Sequence, residues 1–139
     1  MNEEVDVMLS NPYLETLAFF SVTVLALVVF LAVFEFVTRY DDWKEIRNGN
    51  VAVAMATGGK IFGICNIFRF AILNNDSILD SLIWASFGFV LLLVAYFIFE
   101  FLTPTIKIDA EIQKDNRAVG LLSMIISIAI SYVVGASVT

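Results

Sequence analysis

Residues 16–37 read TLAFFSVTVLALVVFLAVFEFV, and Glu35 carries the only charge in the stretch. An α-helix rises about 1.5 Å per residue and the hydrocarbon of a bilayer is about 30 Å thick, so about 20 mostly apolar residues cross it. Three more segments meet that requirement, at 51–73, 78–102 and 118–138. Continuous apolar runs, rather than short alternating ones, exclude a transmembrane β-barrel. The fold class predicted is therefore an all-α membrane protein with four transmembrane helices.

Composition agrees. Of 139 residues, 60% are hydrophobic and 16% charged, against about 45–50% and about 25% in soluble domains. A soluble core of this size could not bury so much apolar side chain. The lipid bilayer is the expected partner of most of the surface. The net charge of −6 lacks the basic footprint that nucleic acid requires, so nucleic-acid binding is not expected. There is no histidine and a single cysteine, Cys65, which leaves no internal disulfide and few metal sites. No nucleotide loop, catalytic triad or metal spacing occurs, so the reading is of a non-enzyme with no cofactor. The start, Met1 to Asp6, is acidic where a cleaved signal peptide begins positive. The first span is therefore read as retained, and no soluble domain is expected beyond the fourth helix.

Basic residues are distributed unevenly among the connections. The first contains Arg39, Lys44 and Arg47; the third contains Lys107 and Lys114, with Arg117 at its edge; the second, Asn74 to Ser77, has none. The positive-inside rule places loops 39–50 and 103–117 in the cytoplasm and both termini outside. Trp84 is expected near the outer interface and Trp43 at the inner headgroup level.

The halves of the chain resemble each other. Phe34-Glu35-Phe36-Val37-Thr38 aligns with Phe99-Glu100-Phe101-Leu102-Thr103, Glu45-Ile46 with Glu111-Ile112, and Asn50 to Ala54 with Asn116 to Gly120. Nine positions in the 21-residue stretch 34–54 are identical to their counterparts. Each half is helix, loop, helix. An even number of spans per unit makes the repeats parallel, about 16–73 and 78–138, within a single membrane domain.

The Asp-Trp-Lys-Glu-Ile pattern within Asp42–Ala54, the Thr57-Gly58-Gly59-Lys60 run and the Asp109–Gly120 pattern resemble the YshE/YjfL-like family of small bacterial membrane proteins, classed as a domain of unknown function (family 350). The resemblance covers nearly the whole chain. It implies a bacterial plasma membrane and a four-helix architecture, with an association with envelope stress, and it implies no particular activity.

Lys60 is the sharpest functional candidate. It lies ten residues past Asn50, about 15 Å along the second span. A lysine there costs about 2.5–3.5 kcal/mol on insertion scales, so a carboxylate, a carbonyl or water must offset it. Its counterpart in the second repeat is Ile126. Glu35 and Glu100, each between two phenylalanines at a helix end, are candidate proton carriers or partners of Lys60; the alternative is a shallow carboxylate reaching headgroup water. Ser127 belongs to a small-residue stripe on the fourth span with Gly120, Ser123, Ser131 and Gly135, which is either packing surface or the wall of a polar path. Asn50 and Asn116 are expected to cap helices. Ala52, Ala56, Gly59 and Gly63 share one face of the second span, within about 60° of arc, and form a close-packing motif. Gly58-Gly59 is expected to loosen that helix beside Lys60.

Two functional readings remain open. One is an oligomeric ion- or proton-linked channel or transport component. The other is a non-catalytic scaffold or envelope-stress partner that docks cytosolic proteins through its two cytoplasmic loops. A homo-oligomer is expected in either case, because short helices with glycine faces leave contact surface unused.

Overall fold

A computed structural model describes residues 3–138; Met1, Asn2 and Thr139, and with them the outermost part of the acidic start, lie outside the described residues. In chain order the elements are α1 (Glu3–Leu9), α2 (Pro12–Val37), α3 (Asp42–Arg47), α4 (Val51–Asn74), α5 (Ile78–Leu102), α6 (Ile108–Gln113) and α7 (Arg117–Ser137). No strand occurs among the described residues. Helices α2, α4, α5 and α7 are long and apolar enough to cross a membrane.

Local chemistry sets the ends. α2 begins four residues before the expected Thr16, because the Asn11 side chain accepts from the Tyr13 N–H at 3.0 Å and Pro12 takes the first turn, where its missing N–H costs nothing. The Ser77 hydroxyl caps α5 by accepting from the Asp80 N–H at 3.0 Å. Both charged connections contain a short helix where the sequence reading had plain loop. The Asp41 carboxylate caps α3 by accepting from the Lys44 N–H at 3.2 Å. α3 closes at Gly49, whose φ of +85° suits a residue without a Cβ. The Gly49 N–H reaches the Ile46 carbonyl and the Asn50 N–H the Glu45 carbonyl, both at 3.0 Å, which is the Schellman closure. α6 closes in the same way through Asp115 and Asn116, again at 3.0 Å each, with Asp115 at φ +62°.

α4 is the hub. It buries twelve residues, while α2 buries two, Ala26 and Phe34. Its small face packs on that of α7, and the two helices run in the same direction. Ala52 meets Gly120, Gly59 meets Met124, and Gly63 meets Ser127 and Ser131. Asn66 donates to the Ser131 hydroxyl at 3.0 Å. A Cβ on Gly59 would stand 2.7 Å from the Met124 Cα, and one on Gly120 equally close to the Ala52 Cα, so both glycines permit the approach of the backbones. In lipid there is no hydrophobic drive between helices, and this contact area is what holds them. α4 is helical throughout, and Gly58 and Gly59 do not break it; the α7 backbone at Met124 packs directly against Gly59.

α2 lies on the flank. Phe30 stacks on Phe89 at 4.3 Å and on Phe68 at 5.6 Å, and Phe34 meets Phe89 edge-on at 5.4 Å. These rings tie α2 to α4 and α5. Cys65 is exposed and lines an open groove between α2 and α4. Arg69 is exposed with its guanidinium 5.5 Å from the centre of the Phe70 ring, and the half-buried Trp84 packs edge-on against Phe87.

Candidate functional site

The polar residues that a lipid-embedded bundle should avoid gather at one end, under α3 and α6. Lys60 is at the centre, 2% exposed. A helical Cα–Cβ bond leans toward the N-terminus, so the lysine reaches back along α4 toward the short-helix end. Its Nζ stands 3.8 Å from Asp42 Oδ2. That is an ion pair, but too long for a hydrogen bond. The ammonium also faces the rings of Phe34 at 5.4 Å and Tyr40 at 5.6 Å, close enough for cation–π attraction.

The partner carboxylate is thus Asp42, in the first turn of α3, and not Glu35 or Glu100. Asp42 is 5% exposed. Burial raises its carboxyl above the ordinary range, and the Lys60 charge opposes that rise. Burial, with Asp42 and Asp109 nearby, pushes the Tyr40 hydroxyl well up, so it remains a neutral phenol. Three buried atoms in this cluster, Asp42 Oδ1, Thr57 Oγ1 and Lys60 Nζ, hydrogen-bond to no protein atom. Buried polar atoms in folded proteins nearly always have partners, and here three without one lie in a single cluster.

α6 brings a second buried carboxylate. Asp109, 6% exposed, accepts a hydrogen bond from the Tyr96 hydroxyl of α5. Glu35 and Glu100 lie outside the Lys60 pair, half-buried near the ends of α2 and α5. Each lines a groove of about 330 Å³, Glu35 with Asp42 and Thr57, and Glu100 with Arg39, Lys107 and Asp109. Ser127 is half-buried. With Ser123, Phe34 and Tyr96 it lines a void of about 10 Å³, which is one water at most. The α4–α7 seam beside it is closed, so the serine stripe of α7 packs against α4 in the single chain.

The two asparagines are caps. Asn50 accepts from the Val53 N–H at 3.0 Å, and Asn116 accepts from the Val119 N–H at 3.4 Å. Their amides donate to Glu45 at 3.2 Å and to Glu111 at 3.0 Å. Asn50 reaches further, donating to the Ile112 and Gln113 carbonyls at 3.2 and 2.9 Å, which ties α4 to the end of α6. Asp115 returns the tie by accepting from the Ala52 N–H at 3.0 Å.

The family described as Domain of Unknown Function (DUF350) matches residues 8–138. The chain belongs to the DUF350 family. It is 56% identical over 128 residues to the UPF0719 transmembrane protein YshE of Bacillus subtilis (strain 168), which covers 92% of this chain and 96% of that protein. It is 26% identical over 104 residues to the UPF0719 inner membrane protein YjfL of Escherichia coli (strain K12), covering 75% and 77%. The resemblance read from Asp42–Ala54 and Asp109–Gly120 is borne out. No solved structure matches.

In this DUF350 chain, the sequence singles out Lys60, which the structure buries, and does not single out Asp42, Asp109, Tyr40 or Tyr96, which surround it. A signal for Asp42 existed: a lysine within a span needs a carboxylate, and Asp41-Asp42 stands close before the same helix. No local pattern announced that α3 folds back over the helix ends.

Proposed function

We propose that this DUF350 chain is a non-enzymatic, homo-oligomeric component of proton- or cation-linked transport in the bacterial plasma membrane. The Lys60–Asp42 pair is its coupling element. The observation that carries the reading is a lysine inside a span, paired at 3.8 Å with a carboxylate from a short helix outside it, in a cluster with three unpartnered polar atoms. An ion pair on a separate short element has two arrangements, closed and parted, and a proton or cation that binds Asp42 shifts the balance between them.

The chain is read as two tandem units of the same orientation, with α3 and α6 cytoplasmic and the termini outside. The matched closures at Gly49 and Asp115 and the matched pairs Asn50–Glu45 and Asn116–Glu111 support the duplication. The basic residues of the two connections support the orientation. Because the α4–α7 seam is closed, a path would run between copies, and the sparsely buried α2 offers the surface for that contact.

The test is proton and cation flux into liposomes containing the wild-type chain or the double variant Lys60→Met with Asp42→Asn. The double variant removes both charges together, so neither is stranded, and it is expected to fold. Flux in the wild type that falls at least tenfold in the double variant supports the reading; equal flux in both, or none in either, overturns it. A scaffold at the short-helix end is the second reading, favoured by the half-exposed Trp43 of α3. It predicts that a cytosolic partner is lost on Trp43→Ala while the double variant still captures it.

A further inference from the structure

The groove beside Glu35 opens on the flank of the bundle, between α2, α3 and α4. Val28, Leu31 and Ala32 line its deeper part, up to about 10 Å from Glu35 at helical rise. Glu35, Asp42 and Thr57 line the part near α3, with Trp43 beside them. Val28 is 59% exposed and Trp43 52%, so the groove faces laterally, where a spanning helix meets lipid. Its polar part lies at the end of α2, at headgroup depth.

We propose that this groove binds an aminophospholipid, holding the primary ammonium at Glu35, Asp42 and Thr57 with an acyl chain along Val28, Leu31 and Ala32. The chemistry is complementary group by group. A primary ammonium carries three N–H donors. Three residues that line the polar part carry acceptors, the Glu35 carboxylate, Asp42 Oδ1 and Thr57 Oγ1, and the last two are buried with no hydrogen bond from the protein. Asp42 Oδ2 is turned to Lys60, which leaves Oδ1 for the ligand; in the bound form proposed, Asp42 and Thr57 rotate to turn both oxygens to the groove. Charge favours a cation as well. Glu35, Asp41 and Asp42 gather here against Lys60 alone, and the Trp43 face suits an ammonium. Among the described residues no group of three or more carboxylate or thiol side chains could hold a metal ion. The apolar half of the groove gives a bare cation nothing to bind, whereas it fits a chain. The site does not depend on whether the chain conducts.

The experiment measures lipid retained by the purified full-length chain in native mass spectrometry, after equilibration with equal amounts of phosphatidylethanolamine, phosphatidylcholine and phosphatidylglycerol. Phosphatidylethanolamine retained about tenfold over each of the others, the ratio for one charge-assisted hydrogen bond, is the expected result. Glu35→Gln and Thr57→Val should each reduce that preference at least threefold, with Glu100→Gln as the matched control that leaves it unchanged. Helicity and monodispersity confirm that the variants fold. Phosphatidylcholine has the charge without the three donors, so equal retention of it overturns the acceptor triad. Equal retention of phosphatidylglycerol overturns the charge argument. Displacement by free ethanolamine at concentrations equal to the lipid would show a headgroup-only site and overturn the lipid assignment. A preference unchanged in both groove variants would place the lipid elsewhere and overturn the site.

Discussion

A single buried lysine makes the chain's polar cluster testable residue by residue. Lys60→Met alone strands the Asp42 carboxylate, and breaking a buried pair in this way costs about 3–5 kcal/mol. Adding Asp42→Asn should restore most of the loss, and thermal unfolding in detergent across the double-mutant cycle measures it. The pH dependence has a defined sign. Burial holds the Asp42 carboxyl above its ordinary value of 3.8 and the Lys60 charge opposes this. With Lys60→Met the opposition is gone. The stability tied to the protonated carboxyl is then fully present below pH 3.8 and lost as pH rises through the raised folded-state value. Lys60→Met should therefore lose stability with rising pH more steeply than wild type, and a parallel pair of pH–Tm curves would refute that. The two capping asparagines separate as well. Asn116→Ala should cost about 1 kcal/mol, the usual worth of a cap. Asn50→Ala should cost clearly more, because its amide also serves the Ile112 and Gln113 carbonyls; equal losses in urea titration would contradict the tie between α4 and α6.

At the level of elements, the α4–α7 seam decides which glycines matter. A Cβ at Gly58 meets nothing within 4 Å, whereas one at Gly59 meets the Met124 backbone at 2.7 Å. Gly58→Ala is expected to stabilise by about 0.5–1 kcal/mol through helix propensity. Gly59→Ala, one residue along, should destabilise by about 1–3 kcal/mol by forcing α7 away. Tm values of opposite sign relative to wild type are the expected outcome. The sequence leaves the two small-residue faces to pack on each other or on a neighbouring chain, because a stripe of glycine, alanine and serine packs equally well on a second copy. The Asn66–Ser131 hydrogen bond and the meeting of Ala52 with Gly120 settle it within one chain. α3 and α6 escape the reading because six residues, of mixed charge in α3 and with two acidic side chains in α6, have no usable periodicity, and their buried sides are defined by what lies beneath them.

For the whole molecule, the orientation proposed from the basic loops predicts a labelling pattern. In a Cys65→Ser background, Asn75→Cys should react with a membrane-impermeant maleimide in intact cells, and Arg47→Cys only after permeabilisation. The reverse pattern would place α3 and α6 outside. What the sequence by itself determined is the number of spans, their limits within a few residues and the family, since crossing lipid demands a length and an apolarity that twenty residues either have or lack. The caps Asn50 and Asn116 were legible for the same reason: they act on the backbone immediately following them. The partner of Lys60 was not legible. Glu35, Glu100 and Asp42 are all carboxylates at that end of the bundle, and local sequence ranks none of them. Only the tertiary structure, by folding α3 back over the helix ends, set Asp42 within 3.8 Å of the ammonium and left Glu35 beside the pair, on the groove that Asp42 also lines. Charge pairing depends on distance through space, which the order of residues along the chain does not contain.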